Sequence, residues 1–117
     1  MTSEFINKII CGDCLEIMRA LDNESIDLVF TDPPYNISGK KKIYRDYRSG
    51  KRKDISFDFG EWDYGFQIEL FLQESKRVLK NNGSIIVWTS EQLFGAYRSW
   101  FQENMYPKQL LIWVKTN

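Results

Sequence analysis

The residues of this chain best able to do chemistry stand in a row: Asp32, Pro33, Pro34 and Tyr35, with Thr31 before them and Asn36 after. A carboxylate offers two acceptor oxygens. A proline pair restricts the backbone around it, which holds the Pro33 carbonyl in one direction. Such a pair of acceptors suits an amine with two hydrogens to hold. The exocyclic amine of a nucleobase is a poor nucleophile, because its lone pair is delocalised into the ring. If Asp32 accepts one amine hydrogen and the Pro33 carbonyl the other, the lone pair can turn toward an electrophilic methyl. The same two acceptors then stabilise the positive charge that develops. Tyr35 adds an aromatic face on which a base swung out of a duplex could stack. A rigid proline turn that merely closes a strand would use the same residues and do no chemistry.

The motif needs a strand to end on. Ile26–Thr31 is mostly apolar, and the prolines stop it because they cannot continue a ladder. Ligands of open α/β sheets bind beyond the carboxyl ends of strands, where this motif falls. Upstream, Lys8–Ile10 reads as a short strand, and Cys14, Ile17, Met18 and Leu21 follow at helical spacing. Downstream, residues 36–63 are polar, with glycines at 39, 50 and 60, and read as one long loop, the kind that is generally functional or disordered. Ile68, Phe71, Leu72, Ser75 and Leu79 form one face of a helix, with Asn81-Asn82-Gly83 as its stop. Ser84–Trp88 has the near-continuous apolar run of a strand covered on both faces. Thr89 and Gln92 fit a capping box for a helix whose apolar positions are Leu93, Phe94, Tyr97, Phe101 and Met105. Gln109–Lys115 reads as a last strand. Strands alternating with helices predict an α/β fold with a parallel sheet and helices on both faces.

Composition bounds the reading. At 117 residues the chain is one domain's worth, and its longest apolar run, Leu110–Val114, is far short of the ~20 residues that span a membrane. There is no histidine, so imidazole acid–base chemistry and histidine metal sites are excluded. Net charge is zero, yet residues 40–54 hold eight basic side chains and two acids, leaving the remainder acidic. Lys40, Lys41, Lys42, Arg45, Arg48, Lys51, Arg52 and Lys53, interleaved with Tyr44 and Tyr47, suit phosphate contacts and base stacking. A solvated loop is the other reading. Trp88 is placed to border a base pocket or to pack in the core. Trp62, Trp100 and Phe101 read as packing residues, and Glu91 as a first-turn helix acid.

Asp-Pro-Pro-Tyr at a strand end resembles the catalytic motif of the DNA amino-methyltransferases, which methylate adenine or cytosine amines with S-adenosylmethionine. Further segments resemble the permuted group of that family, in which the catalytic motif precedes the glycine-rich cofactor motif. They are Gly12-Asp13-Cys14 opening a helix, Asp27–Thr31, the Val78-Leu79-Lys80 to Gly83 turn, Asp58-Phe59-Gly60-Glu61-Trp62-Asp63, and Trp113–Asn117. The resemblance implies an incomplete Rossmann-like sheet spanning residues 1–117 as a single catalytic domain with the basic loop at about 36–63. It implies catalysis by Asp32, Pro33, Pro34 and Tyr35, cofactor contacts by Asp13, Cys14 and Asp32, and double-stranded DNA as the partner. It also implies a restriction-modification or orphan modification system. Asp rather than Ser at position 32 is the adenine tendency of the family.

The family's Phe-x-Gly-x-Gly cofactor loop is absent, since no Gly-x-Gly occurs anywhere in the chain. The expectation is therefore a catalytic half with little or no activity alone, the rest supplied by a second chain or lost by truncation. Two other readings stay open. One is a non-catalytic module that binds DNA or a partner subunit. The other is a thioredoxin-like redox protein using Cys11 and Cys14, although Asp13 between the thiols would raise their pKa and no Trp precedes the first Cys. Two cysteines alone make no zinc site, and buried reduced thiols in a cytoplasmic protein are the simpler expectation.

Overall fold

Two strands carry the architecture. In the computed structural model, which describes residues 4–38, 41–45, 52–56 and 58–114, β1 (Ile26–Thr31) pairs in parallel with β4 (Leu79–Val87). Before β1 comes the short helix α1 (Cys14–Arg19), and after β4 comes α3 (Glu91–Asn104). Between the strands lie β2 (Lys41–Arg45), β3 (Arg52–Ser56), a 3-10 turn (Glu61–Asp63) and α2 (Ile68–Val78). This is the α/β alternation expected, in incomplete form: a parallel pair with its crossover helix and two flanking helices. Among the described residues, no helix is long and apolar enough to cross a membrane.

The helices earn their place through one apolar side. Phe71 and Leu72 of α2 and Tyr97 and Trp100 of α3 are buried together. Leu15 and Met18 of α1, Val29 of β1, and Ile85 and Val87 of β4 pack against them. Because strand side chains alternate, Leu28, Phe30 and Ile86 point the other way, and all three are exposed. Among the described residues the helical cover is thus on the Val29–Ile85–Val87 side alone. The alternation and the apolar run Ser84–Trp88 predict cover on both faces, but Leu28, Phe30 and Ile86 meet no helix. Arg77 of α2 staples α1 to this core. Its guanidinium donates to the carbonyls of Met18 (2.7 Å) and Leu21 (2.9 Å) at the end of α1, and to Asn23 Oδ1 (2.7 Å). Glu74, one turn back, holds the same guanidinium at 2.9 Å.

Several sequence expectations are corrected. Residues 36–63 are not one loop, because β2 and β3 form an antiparallel hairpin within them. Lys8–Ile10 is not a strand, and Ile9 is fully exposed. Gln109–Lys115 has strand composition, but residues 106–114 have no regular structure, and Leu110 to Val114 are exposed. β-Propensity describes fit to a half-buried pleated surface, and among the described residues no neighbouring strand offers one. The capping box is not made: Ser90 is the N-cap of α3 and makes no side-chain capping bond. Cys11 and Cys14 are exposed rather than buried. Trp62 is also exposed, its ring tilted against Phe59, whereas Trp100 is core as expected.

Asn81-Asn82-Gly83 does not stop a helix with a left-handed residue either. The helix ends at Val78, and the triplet sits in β4 where the register slips: Ile26 faces Leu79, yet Leu28 faces Ser84. Glycine is needed there for space. A Cβ on Gly83 would lie 2.9 Å from Leu79 Cδ2, 3.0 Å from the Lys80 carbonyl and 3.1 Å from the Asp27 carbonyl. Gly95 is the contrast, a mid-helix glycine of α3 with nothing within 4 Å of such a Cβ. Gly83→Ala should therefore cost about 1–3 kcal/mol, and Gly95→Ala should gain about 0.5–1 kcal/mol. Urea unfolding midpoints moving in opposite directions at unchanged m-value check the pair.

Candidate active site

Because β1 and β4 are parallel, their carboxyl ends fall at the same edge. Thr31 faces Val87, and the Trp88 N–H donates to the Thr31 carbonyl at 2.9 Å, carrying the pairing one residue further. Asp32 and Trp88 therefore leave the sheet as neighbours. A cavity of about 570 Å³ opens at this edge, lined by Phe30, Thr31, Asp32, Tyr35, Trp88 and Trp113. Its size is that of a small-molecule site, with aromatic walls and one carboxylate. Trp113, in the irregular tail, meets Trp88 edge to face at 5.6 Å. Trp88 thus takes the pocket alternative of the two left open. Trp113 was matched within a family segment, but no spacing rule assigned it to the pocket.

Inside the motif, Tyr35 does more than line a wall. Its hydroxyl donates to Asp32 Oδ1 at 2.5 Å, the length of a charge-assisted bond. Burial, then this bond and the Asp32 charge, push the phenol up to about 12. Pro33 is buried, and Pro34 and Tyr35 are half-buried. The four motif residues are therefore held at one edge, with the carboxylate and the ring turned to the same space.

What holds the motif is a carboxylate from far along the chain. Asp63 Oδ1 accepts the N–H groups of Tyr35 (3.0 Å) and Asn36 (2.9 Å), and Oδ2 accepts those of Ile37 (2.9 Å) and Ser38 (2.6 Å). Four successive amides can converge on one group because Asn36 adopts φ +53°, and small polar residues tolerate that region best. The Asn36 side chain ties the same turn to Phe66, accepting from its N–H at 2.8 Å and donating to its carbonyl at 3.1 Å. Ser38 Oγ accepts the Phe59 N–H at 3.0 Å. Gly60, at φ +95°, turns the chain into the 3-10 turn that presents Asp63. The hairpin of β2 and β3 thus leaves from a pinched neck directly beside the motif. Sequence reasoning placed Asp63 in a matching segment but gave it no role, since nothing in spacing links it to Tyr35.

The other expected site residues are distributed as follows. Asp13 is the N-cap of α1, its Oδ1 accepting from Leu15 (2.9 Å) and Glu16 (3.1 Å), as its place before the helix implies. Neither Asp13 nor Cys14 lines the cavity that Asp32 borders. Desolvation, and then the Asp13 charge, push the Cys14 thiol up, which is the reverse of what redox chemistry needs. Lys40, Arg48 and Lys51 lie outside the described residues. Lys41, Lys42 and Arg45 fall on β2, and Arg52 and Lys53 on β3, as backbone positions. Register puts Lys42 opposite Ile55 and Arg45 opposite Arg52.

Burial pushes Asp63 upward, but the Ser38 hydroxyl and the amides of Ser38, Ile37 and Asn36 outweigh it and hold the carboxyl below its ordinary range. A depressed folded pKa means stability that is present above the unfolded value of about 4 and lost as pH falls through the folded one. Acid unfolding should then include a component that Asp63→Asn lacks. At neutral pH that variant should be less stable by on the order of 3 kcal/mol, because it leaves amides of a buried turn unpaired. Urea unfolding of both proteins from pH 7 to pH 3 measures this.

A family profile described as DNA methylase matches residues 26–117. The chain is 40% identical over 123 aligned residues to the type II methyltransferase M.HinfI of Haemophilus influenzae, an alignment covering 98% of this chain and 33% of the relative. It is 31% identical over 84 residues to the type II methyltransferase M.BamHI of Bacillus amyloliquefaciens, covering 71% of this chain and 17% of that protein. The chain thus spans about a third or less of the length of these relatives.

Proposed function

The chain belongs to the N6/N4 DNA methyltransferase family, and from that premise we propose that it carries the base-binding and catalytic half of an enzyme that methylates the exocyclic amine of adenine in DNA. The observation that supports this most is the joint position of Asp32, Tyr35 and Trp88 around one cavity at the carboxyl ends of two parallel strands. A flat base fits between aromatic walls, and its amine then meets the Asp32 carboxylate. Asp32 and the Pro33 carbonyl accept hydrogen bonds from the two amine hydrogens, which turns the lone pair outward. The same bonds stabilise the positive charge that develops as the amine gains the methyl, and one of those hydrogens then leaves as a proton. Tyr35 must release Asp32 Oδ1 as the amine arrives, or leave the amine the second oxygen.

S-Adenosylmethionine, when bound, supplies a methyl already activated by a sulfonium centre. The aromatic and carboxylate lining of the cavity suits a cation of that kind. Asp32 would face its charged part, with Asp13 and Cys14 at the start of α1 as the further contacts. The basic hairpin positions would track the DNA backbone beside the pocket. Such a protein acts where bacterial DNA is, in the cytoplasm, in a modification system with or without a restriction enzyme.

A second reading rests on the open sheet face. Leu28, Phe30 and Ile86 exposed together suit a module that completes itself against another polypeptide and is not catalytic alone. Calorimetry separates the two: heat with S-adenosylmethionine supports the enzyme half, and DNA binding with no such heat supports the module.

The purified 117-residue chain should bind duplex DNA and transfer no detectable methyl from labelled S-adenosylmethionine. Nucleoside analysis that finds N6-methyladenine made by the chain alone would overturn the need for a completing segment. Finding N4-methylcytosine would overturn the choice of base. Replacing Lys51, Arg52 and Lys53 by Ala should weaken DNA binding and flatten the slope of log K against log salt by up to ~3 units, read by anisotropy. An unchanged slope makes these residues a solvated surface.

A further inference from the structure

Asp63 takes no part in the chemistry proposed above, yet it is the one buried carboxylate among the described residues, 2% exposed. Both of its oxygens are spent on consecutive amides of the segment that follows the proline pair. A curl of successive N–H groups ordinarily binds a free anion. Here the anion is the protein's own, delivered 25 to 28 residues later in the chain.

The first amide of the four belongs to Tyr35, whose hydroxyl reaches Asp32. Tyr35 is therefore pinned at both ends, its backbone by Asp63 and its side chain by Asp32. The peptide joining Pro34 to Tyr35 is fixed between them, and with it the direction in which the Tyr35 side chain leaves the backbone. Geometry of this kind matters because small misplacements of groups that hold a reacting atom cost large factors in rate.

We propose that Asp63 is the positioning residue of the Asp-Pro-Pro-Tyr segment: by gathering the amides of Tyr35 to Ser38 it fixes the Tyr35 ring and the Pro33–Pro34 backbone relative to Asp32, so that a base meets carboxylate, carbonyl and ring in a single arrangement. The functional part rests on the base-amine reading above; the positioning part rests on the bonds alone. A carboxylate is required, because each of its oxygens accepts two N–H groups. An amide at this position has one oxygen, and its NH2 would face two N–H donors.

The same bonds link the site to the hairpin. Ser38 and Phe59 close the neck through the Ser38 hydroxyl, and Asp63 closes it one turn further on.

The test compares the 117-residue chain with its Asp63→Asn and Asp63→Glu variants, and with Gly83→Ala as a control that loosens the fold elsewhere. The first readout is the Cζ resonance of Tyr35 in tyrosine-labelled protein, which reports the hydrogen bond of its hydroxyl and needs no ligand. It should move in Asp63→Asn toward the value of a phenol in water, move part-way in Asp63→Glu, and stay in place in Gly83→Ala. The second readout uses a single-stranded oligonucleotide with one 2-aminopurine, whose emission falls when the base stacks. Quenching should drop several-fold in Asp63→Asn, while affinity for the same strand by anisotropy changes less than two-fold.

An unmoved Tyr35 resonance in Asp63→Asn overturns the proposal, as does an equal movement in Gly83→Ala. If Asp63→Asn does not fold, Asp63→Glu decides by the same resonance. Absence of quenching by the unsubstituted chain would count against the base-amine reading and leave the resonance to decide the role of Asp63.

Discussion

One buried carboxylate joins two parts of the chain that sequence keeps far apart. Asp63 holds Tyr35 through Ser38, and in doing so it closes the excursion that contains the β2–β3 hairpin. Without that bond the four amides would need water, in a turn where Ser38 is already buried. An unpaired N–H in such a place is costly, so the turn and the acid specify each other. The strained residue fits the same logic. Asn36 accepts a positive φ because the convergence of amides needs it, and its side chain recovers two further bonds to Phe66.

The parallel pair of β1 and β4 gives this turn something to be positioned against. Parallel strands place their carboxyl ends at the same edge, and the Trp88 amide continues the ladder by one bond to Thr31. Asp32 and Trp88 are brought together by that geometry. The helices α1, α2 and α3 hold the pair from one side through Phe71, Leu72, Tyr97 and Trp100. On the other side Leu28, Phe30 and Ile86 are exposed, and the cavity opens at the edge of that face, beside Phe30. The chain covers a third of the length of M.HinfI, and among the described residues the helices cover one face of its strand pair.

Much of this was legible beforehand. Periodicity located α2 and α3, because a face buried along a helix repeats every three or four residues. Leu72, Ser75 and Tyr97 are buried as that pattern requires. The parallel pairing followed from a strand, a helix and a strand in succession. The failures share a cause. Gln109–Lys115 and Lys8–Ile10 have the composition of strands, but a strand exists only with a neighbour. The hairpin within 36–63 was hidden by its charges, since lysine and arginine carry little strand signal even when the backbone pairs. Gly83 was read as a left-handed stop, and it is instead a place where two carbonyls come too close for a side chain.

The sequence alone determined which groups are available: a carboxylate, a proline pair and an aromatic ring in fixed order, at the end of an apolar strand. Covalent order guarantees that much, because neighbours in the chain stay neighbours in space. Tertiary structure decided the rest. It set Trp88 and Trp113 around Asp32, turned the Tyr35 hydroxyl onto that carboxylate, and brought Asp63 under the turn. The Tyr35–Asp32 bond spans three residues, but its direction is set by the others, which reach across tens of residues and depend on burying the helix faces and satisfying the buried amides.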